Sequence, residues 1–351
     1  MATEERIVEV MGTTAYVIVT DGAPGLADRA VEQLEALESR WSRFRPDSEI
    51  SLLNERPEVP VLVSPQTYQL IERALDGWQL TAGRFDPTLL RELRAIGYDR
   101  SFELVGAGAS VASSAGASAT SNGQPSPVPA APTGRARHER PGAEQIRLDP
   151  IVGTVWLGPD VELDPGGIGK GLAADLVVEA MLADGARGAL VNVGGDLRAA
   201  GAAPEGEGWV VAIDDPTDIG PTDAGPTDVG RTDVGQTAVG PTDTGADLGA
   251  VVLREGAVAS TWRTKRAWTA PDGTARHHVI DPTTGLPAAS GLAGVTVVTA
   301  LGWHAEVLAK AAFLAGPTEG AALLAANDAS GLLVTDDGTV QEAGEWARFS
   351  A

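Results

Sequence analysis

A chain of 351 residues with 43% hydrophobic content is long enough to bury a substantial core, as one large domain or two small ones. Its 26 basic and 48 acidic residues leave a net charge of −22. That charge repels phosphate backbones and anionic lipid, which argues against nucleic acid and membrane as partners and requires local positive groups for any anionic ligand. The absence of cysteine excludes disulfides, thiolate metal sites and a lipid-modified N-terminal cysteine.

In chain order, the opening residues lack a basic segment followed by an apolar run. No stretch approaches the roughly 18 uninterrupted apolar residues of a membrane span, so a cytoplasmic protein is expected. Arg6–Thr20 reads as a strand hairpin with Gly12 near its turn. Leu26–Ser42 carries Leu, Val and Trp at helical spacing, with Asp28 near its start. Ser64–Ala82 is a second amphipathic helix, opened by Ser64-Pro65 in N-cap and first-turn positions. Residues 106–145 are small and proline-rich, with too little apolar side chain to offset the entropy of ordering them, and are expected to be a disordered insertion. Thr154–Leu157 is a short strand, Gly169–Asp184 a helix entered through a glycine-rich turn, and Gly188–Val193 a buried strand. Trp209–Ile213 is a strand, and residues 216–245 form an array of PTDxG-like pentapeptides. This period matches no solenoid, and a second surface insertion is favoured over calcium binding by the aspartates. Strands at Leu248–Leu253 and Gly294–Val298 and an Ala-rich helix at His304–Ala315 complete the reading. Mixed spacing of strands and helices predicts an α+β fold of one domain over residues 1–351, interrupted but not divided by the two insertions.

The segment richest in chemical content is Leu163–Asp175, LDPGGIGKGLAAD. Asp164 precedes a turn containing Gly166 and Gly167, and a helix follows. Backbone N–H groups at its positive end, with the charge of Lys170, suit a diphosphate. The pattern is neither a Walker A loop nor GxGxxG, and glycine turns before helices are mostly structural. Leu190–Arg198, LVNVGGDLR, reads as a plain strand–turn–strand. In His277–Pro287, HHVIDPTTGLP, His278 and Asp281 lie close together in an extended segment. Histidine carries protons near neutral pH, and Asp281 either orients it, takes the proton or simply caps the turn. Ser42–Asn54 (SRFRPDSEISLLN) and Thr81–Thr88 (TAGRFDPT) set Phe44 and Phe85 beside turn residues, as ring-stacking partners or as core.

Together with Met11–Thr13 (MGT), VAST, VTVV and HAEVLAKAAF, these motifs occur in an order that resembles the ApbE family, the FAD:protein FMN transferases, from about Val10 to about Gly316. The resemblance implies a mixed α+β domain, FAD as substrate and Mg²⁺ on its diphosphate. It also implies transfer of FMN to a threonine hydroxyl of a partner flavoprotein, with release of AMP. By position, Met11 and Phe44 resemble flavin-site residues, and Arg84, Phe85 and Asp86 the segment lining the FAD pocket. Asp164 and Lys170 resemble the residues flanking the diphosphate turn, and Val279 the strand whose backbone meets FAD. His278 resembles the histidine that assists proton removal, with Asp281 the second candidate. Gly167 resembles the position whose carbonyl ligates the metal, and Glu306 stands at a carboxylate-ligand position. The chain departs from the family at Lys310, where a metal-ligating hydroxyl is expected and a lysine can partly replace Mg²⁺. It departs again at Trp262, where a glycine is expected, and it lacks a lipoprotein signal. A non-catalytic FAD-binding protein and an FAD pyrophosphatase remain as alternatives.

Overall fold

The computed structural model describes residues 2–102, 142–217, 247–270 and 272–350. Eight strands form one antiparallel sheet whose spatial order is their chain order. They are β1 (Thr3–Val10), β2 (Thr13–Thr20), β3 (Gly188–Val193), β4 (Asp196–Gly201), β5 (Gly256–Trp262), β6 (Leu292–Thr299), β7 (Ser330–Thr335) and β8 (Val340–Ala343). The β1–β2 hairpin turns on Met11 and Gly12, both at positive φ. The β3–β4 hairpin turns on Gly194 and Gly195 (φ 63° and 98°), and two such residues in a row are what a tight twisted hairpin demands. A Cβ on Gly194 would also lie 2.5 Å from the Thr13 hydroxyl oxygen.

Alternation along the strands separates two cores. On one face Ala15, Val17, Val19, Ala189, Val191 and Val193 pack beneath α1 (Leu26–Trp41) and α3 (Gly169–Ala183). Val295, Val297 and Leu333 pack beneath α4 (Gly302–Ala326) on that face. On the other face Ile18, Leu190, Leu197, Val298 and Leu332 meet Trp209 and the hairpin formed by Trp209–Asp214 and Asp247–Leu253. The molecule is therefore layered as helices, sheet and hairpin, which agrees with the α+β expectation.

Helix α1 has no side-chain cap of its own; Glu4 on β1 accepts the Gly25 and Ala27 N–H groups instead. Helix α2 (Pro65–Leu80) starts as the sequence predicts, with the Ser64 hydroxyl accepting the Thr67 N–H at 3.3 Å. Helix α4 breaks where the sequence predicts its end, after Ala315, because Gly316 (φ 80°, ψ 178°) is non-helical, and Pro317 opens a second helical stretch to Ala326. Its length and apolarity match those of a membrane span, but Val307, Leu308, Ala312 and Phe313 lie in the core with no exposed surface.

Both expected insertions lie almost wholly outside the described residues, and their boundaries need correction. Ala143 is buried and the Gln145 carbonyl accepts the Gly158 N–H at 2.9 Å, so residues 142–145 belong to the fold. Pro216 is buried and its carbonyl accepts the Thr264 hydroxyl at 3.3 Å, so it too belongs with the packed residues.

Helices α3 and α4 cross where neither carries a side chain. A Cβ on Gly171 would stand 2.3 Å from the Gly302 carbonyl oxygen, and one on Gly302 would stand 2.5 Å from that of Gly171. This contact lets each helix cap the other. Asp175 of α3 accepts the Gly302 and Trp303 N–H groups at 2.7 and 3.0 Å, and Glu306 of α4 accepts the Gly171 N–H at 2.8 Å. The reciprocal caps bring the start of α3 beside the first turns of α4.

Candidate active site

A cleft opens at that junction, lined by Arg84, Phe85, Asp86, Asp164, Gly167, His278 and Lys310, with Leu89, Leu93, Ile280 and Leu314 as apolar walls. Seven of the residues singled out in the sequence therefore meet here from four distant segments. Phe85 is 2% exposed and belongs to the core as much as to the cleft wall. Asp86 holds the following turn, accepting the Thr88 N–H at 2.9 Å and its hydroxyl at 2.6 Å. Arg84 reaches Glu319 at 2.5 Å on the exposed rim.

Part of the glycine turn is engaged within the protein. Ile168 and Gly169 donate to the Pro165 carbonyl at 3.1 and 2.8 Å, and Gly171 donates to Glu306. These N–H groups at the start of α3 are spent on the protein, and Gly166 and Gly167 have no positive φ. What Gly167 supplies is room: a Cβ there would lie 2.4 Å from the Lys310 Nζ and 3.1 Å from the Phe85 ring.

Side chains add positive charge, Lys310 in the cleft lining and Lys170, Lys265 and Arg266 near it. Lys170 pairs with Asp196, itself 1% exposed, and has Glu306 at 4.0 Å. Burial pushes the Lys170 ammonium down to about 8; Glu306 opposes this, and Arg266, Lys310 and Lys265 add to it. Burial likewise lowers Lys310 and Lys265, and Arg266 lowers each of them further. Lys170, Lys265, Arg266 and Lys310 thus feel one another, a concentrated positive field in a chain whose net charge is −22. Only Lys170 and Lys310 stood out in the sequence. Arg266 and Lys265 follow β5 in a stretch without periodicity, and nothing local marks them. Arg43, inside the Ser42–Asn54 motif, pairs with Asp164 at 3.1 Å and fixes the mouth of the glycine turn.

The two adjacent histidines differ sharply. His277 is buried, its Nε2 is 3.0 Å from the Ala288 carbonyl, and its Nδ1 accepts the Val279 N–H at 3.3 Å. His278 lines the cleft, and its buried Nδ1 has no partner among the described residues. Burial, then the charges of Arg266, Lys310 and His277, hold its imidazole well below the usual histidine range, so it is neutral at pH 7.

Other predicted site residues lie elsewhere. The Asp281 carboxylate accepts the Thr283 N–H and hydroxyl, both at 2.7 Å, which is the turn-capping alternative of the sequence reading. Val279 is 1% exposed in the core beneath α4, with its N–H on His277 and its carbonyl accepting Ala288 N–H at 2.9 Å. Met11 sits in the first hairpin turn and donates its N–H to Glu38 at 2.8 Å. Phe44 is 40% exposed and lies under the Arg43 guanidinium, 4.2 Å from its ring centre, with Tyr98 beyond. Trp262 faces Lys265, whose ammonium stands 4.0 Å from the ring centre.

A magnesium ion needs a near-octahedral shell of oxygens. Of the two residues expected to ligate one, Glu306 has one oxygen on the Gly171 N–H and the other facing Lys170, and Gly167 has the Lys310 ammonium against it. Among the described residues no group of three or more His, Asp or Glu converges on a point. The residues present do not fit a magnesium ion.

The chain matches the ApbE family over residues 11–333. It is 28% identical over 340 residues to the FAD:protein FMN transferase of Vibrio cholerae, covering 93% of this chain and 86% of the relative. It is also 28% identical over 337 residues to that of Treponema pallidum, covering 90% and 79%. In structure it resembles the ApbE protein of Thermotoga maritima, with a TM-score of 0.76 at 23% identity over the whole of both chains. The flavin transferase ApbE of Vibrio cholerae follows at 0.72 and 22% identity over 99% of each chain. At those identities the structural likeness shows the fold. The sequence match runs from the first hairpin to β7 and takes in every wall of the cleft, and by it the chain belongs to the ApbE family.

Proposed function

We propose that this protein is an FAD:protein FMN transferase, moving FMN from FAD to a threonine hydroxyl of an acceptor flavoprotein and releasing AMP. The observation that carries the reading is the meeting, in one cleft, of Lys310 and a neutral imidazole, with the positive charges of Lys170, Lys265 and Arg266 close behind. The cluster suits a diphosphate, the one group of FAD that needs positive charge in so acidic a chain. In this reading the threonine oxygen attacks the phosphorus on the FMN side. A P–O bond forms there, the bond from that phosphorus to the bridging oxygen breaks, and AMP leaves with the bridging oxygen and its negative charge. Lys310, in the cleft lining, and Lys170, close to it, are proposed to offset that charge. The hydroxyl proton passes to His278 Nδ1, a role supported by that atom's lack of a partner and by the depressed basicity that keeps it unprotonated beforehand. Asp281 is less suited, because its carboxylate is engaged by Thr283. Arg84, Asp86 and Asp164 are proposed to border the diphosphate, and Met11 and Phe44 the flavin.

Incubating the protein with FAD and a threonine-containing flavoprotein domain tests this. Covalent FMN on the acceptor and stoichiometric AMP are expected. AMP without labelled acceptor would mean hydrolysis, and FAD binding with no AMP would mean a carrier.

A further inference from the structure

We infer that the Lys310 ammonium is the built-in cation of this cleft, contacting the diphosphate of the bound dinucleotide directly where a divalent metal would otherwise be needed. The inference rests on the FAD reading above and adds what neutralises the diphosphate.

Three observations carry it. Lys310 lies one helical turn beyond Glu306 on α4 and lines the cleft with Asp164, Gly167 and His278. Its Nζ donates to the Gly166 carbonyl at 3.4 Å, and Glu306 and Asp164 both draw on its charge. A backbone carbonyl with carboxylates in the neighbourhood is the kind of environment that suits a hard cation, and here it faces an ammonium. The two carboxylates are themselves anchored, Asp164 by Arg43 and Glu306 by the Gly171 N–H, so neither closes over the ammonium.

The second observation is spatial. Gly167 lacks the Cβ that would collide with Nζ, so the approach of Lys310 to the turn depends on that glycine. The third is electrostatic: Lys170, Lys265 and Arg266 already act on Lys310 or on one another. A divalent ion entering beside this set would be repelled, whereas a diphosphate would be drawn in. An ammonium has three donors, and the bond to Gly166 is long, so diphosphate oxygens can take over its hydrogen bonding.

Flavin fluorescence titrations with FAD and with riboflavin, each in EDTA and in magnesium chloride, test this on the unmodified protein and on Lys310→Met and Lys310→Arg. The unmodified protein should bind FAD with an affinity that changes less than about twofold between EDTA and magnesium. Lys310→Met should lose about tenfold or more for FAD and little for riboflavin, the effect of one lost hydrogen bond from a charged group. Lys310→Arg should keep the insensitivity to EDTA. A fall of about tenfold or more in EDTA for the unmodified protein would overturn the inference and leave FAD as the ligand, as would unchanged FAD binding by Lys310→Met. Equal affinity for FAD and riboflavin would overturn both the inference and the reading beneath it. Should Lys310→Met not fold, as judged by circular dichroism, the unmodified protein and Lys310→Arg still decide between these outcomes.

Discussion

The α3–α4 crossing and the cleft beside it both withdraw polar groups from solvent, and they use them in opposite ways. At the crossing, Asp175 gives its two oxygens to the Gly302 and Trp303 N–H groups and has Arg198 at 3.5 Å. The Arg198 guanidinium in turn reaches the Ala199 and Gly256 carbonyls and Glu255. In the cleft, Lys310 makes one long hydrogen bond and His278 Nδ1 makes none. A buried polar group whose bonds are closed within the protein fixes structure, and one left open marks a place for a ligand. His277 and His278 repeat the contrast within two residues.

The sharpest way to break this comparison is to exchange the roles of the two histidines. His278→Ala should cut flavin transfer by roughly 100- to 10,000-fold and leave FAD affinity within a few-fold, since a proton acceptor acts on the chemical step. His277→Ala should do the reverse, lowering stability by about 1–3 kcal/mol in urea titrations through the unpaired Ala288 carbonyl and Val279 N–H. Matching losses of transfer in both variants would erase the distinction. On the crossing itself, Gly171→Ala should cost about 3 kcal/mol, because the new Cβ meets backbone that cannot move aside. Thermal unfolding unchanged from the parent would show that the helices can slide apart.

Smaller effects follow from the titrations. Burial raises the Asp175 carboxyl to about 6, with the Gly302 and Trp303 N–H groups opposing the rise. The folded state therefore holds this proton up to about pH 6, whereas the unfolded chain releases it near pH 4, so Asp175 makes stability fall as pH rises between those values. Asp175→Asn should flatten that part of the curve of melting temperature against pH. Near the cleft, Lys170 loses its charge as pH rises through about 8, so FAD affinity should weaken a few-fold between roughly pH 7 and 9. Lys170→Met should remove that dependence, and a profile that stays the same in the variant would assign it to another group.

Much of this architecture was legible in the sequence, for local reasons. Ser64-Pro65 announced α2, Gly194-Gly195 announced a hairpin, and the apolar runs gave β3 and β6 to within a residue or two. The cleft was legible only through the ordered motifs, because its walls come from segments far apart in the chain. What could not be read was how the same residues would be spent. Glu306 is a helix cap because Gly171, 135 residues earlier, lies under it. Asp175 caps a helix 127 residues later. Hydrophobic period and turn chemistry report on neighbours in sequence, and neither registers a bond of that span.

The ordering of the main sheet has a consequence for how the chain is made. Strands that are neighbours in the sheet are also successive in sequence, yet Thr20, at the end of β2, meets Gly188, at the start of β3, across 168 residues. At a synthesis rate of roughly 5–20 residues per second, β3 leaves the ribosome on the order of ten seconds after β2. During that interval the β1–β2 hairpin has a bare edge, with the N–H and C=O groups of β2 open to any extended segment that passes. This hairpin thus waits longer for its partner than any other pair of neighbours in the sheet. Chaperone dependence during synthesis should track the accessibility of β2, and charge placed on its edge should relieve it.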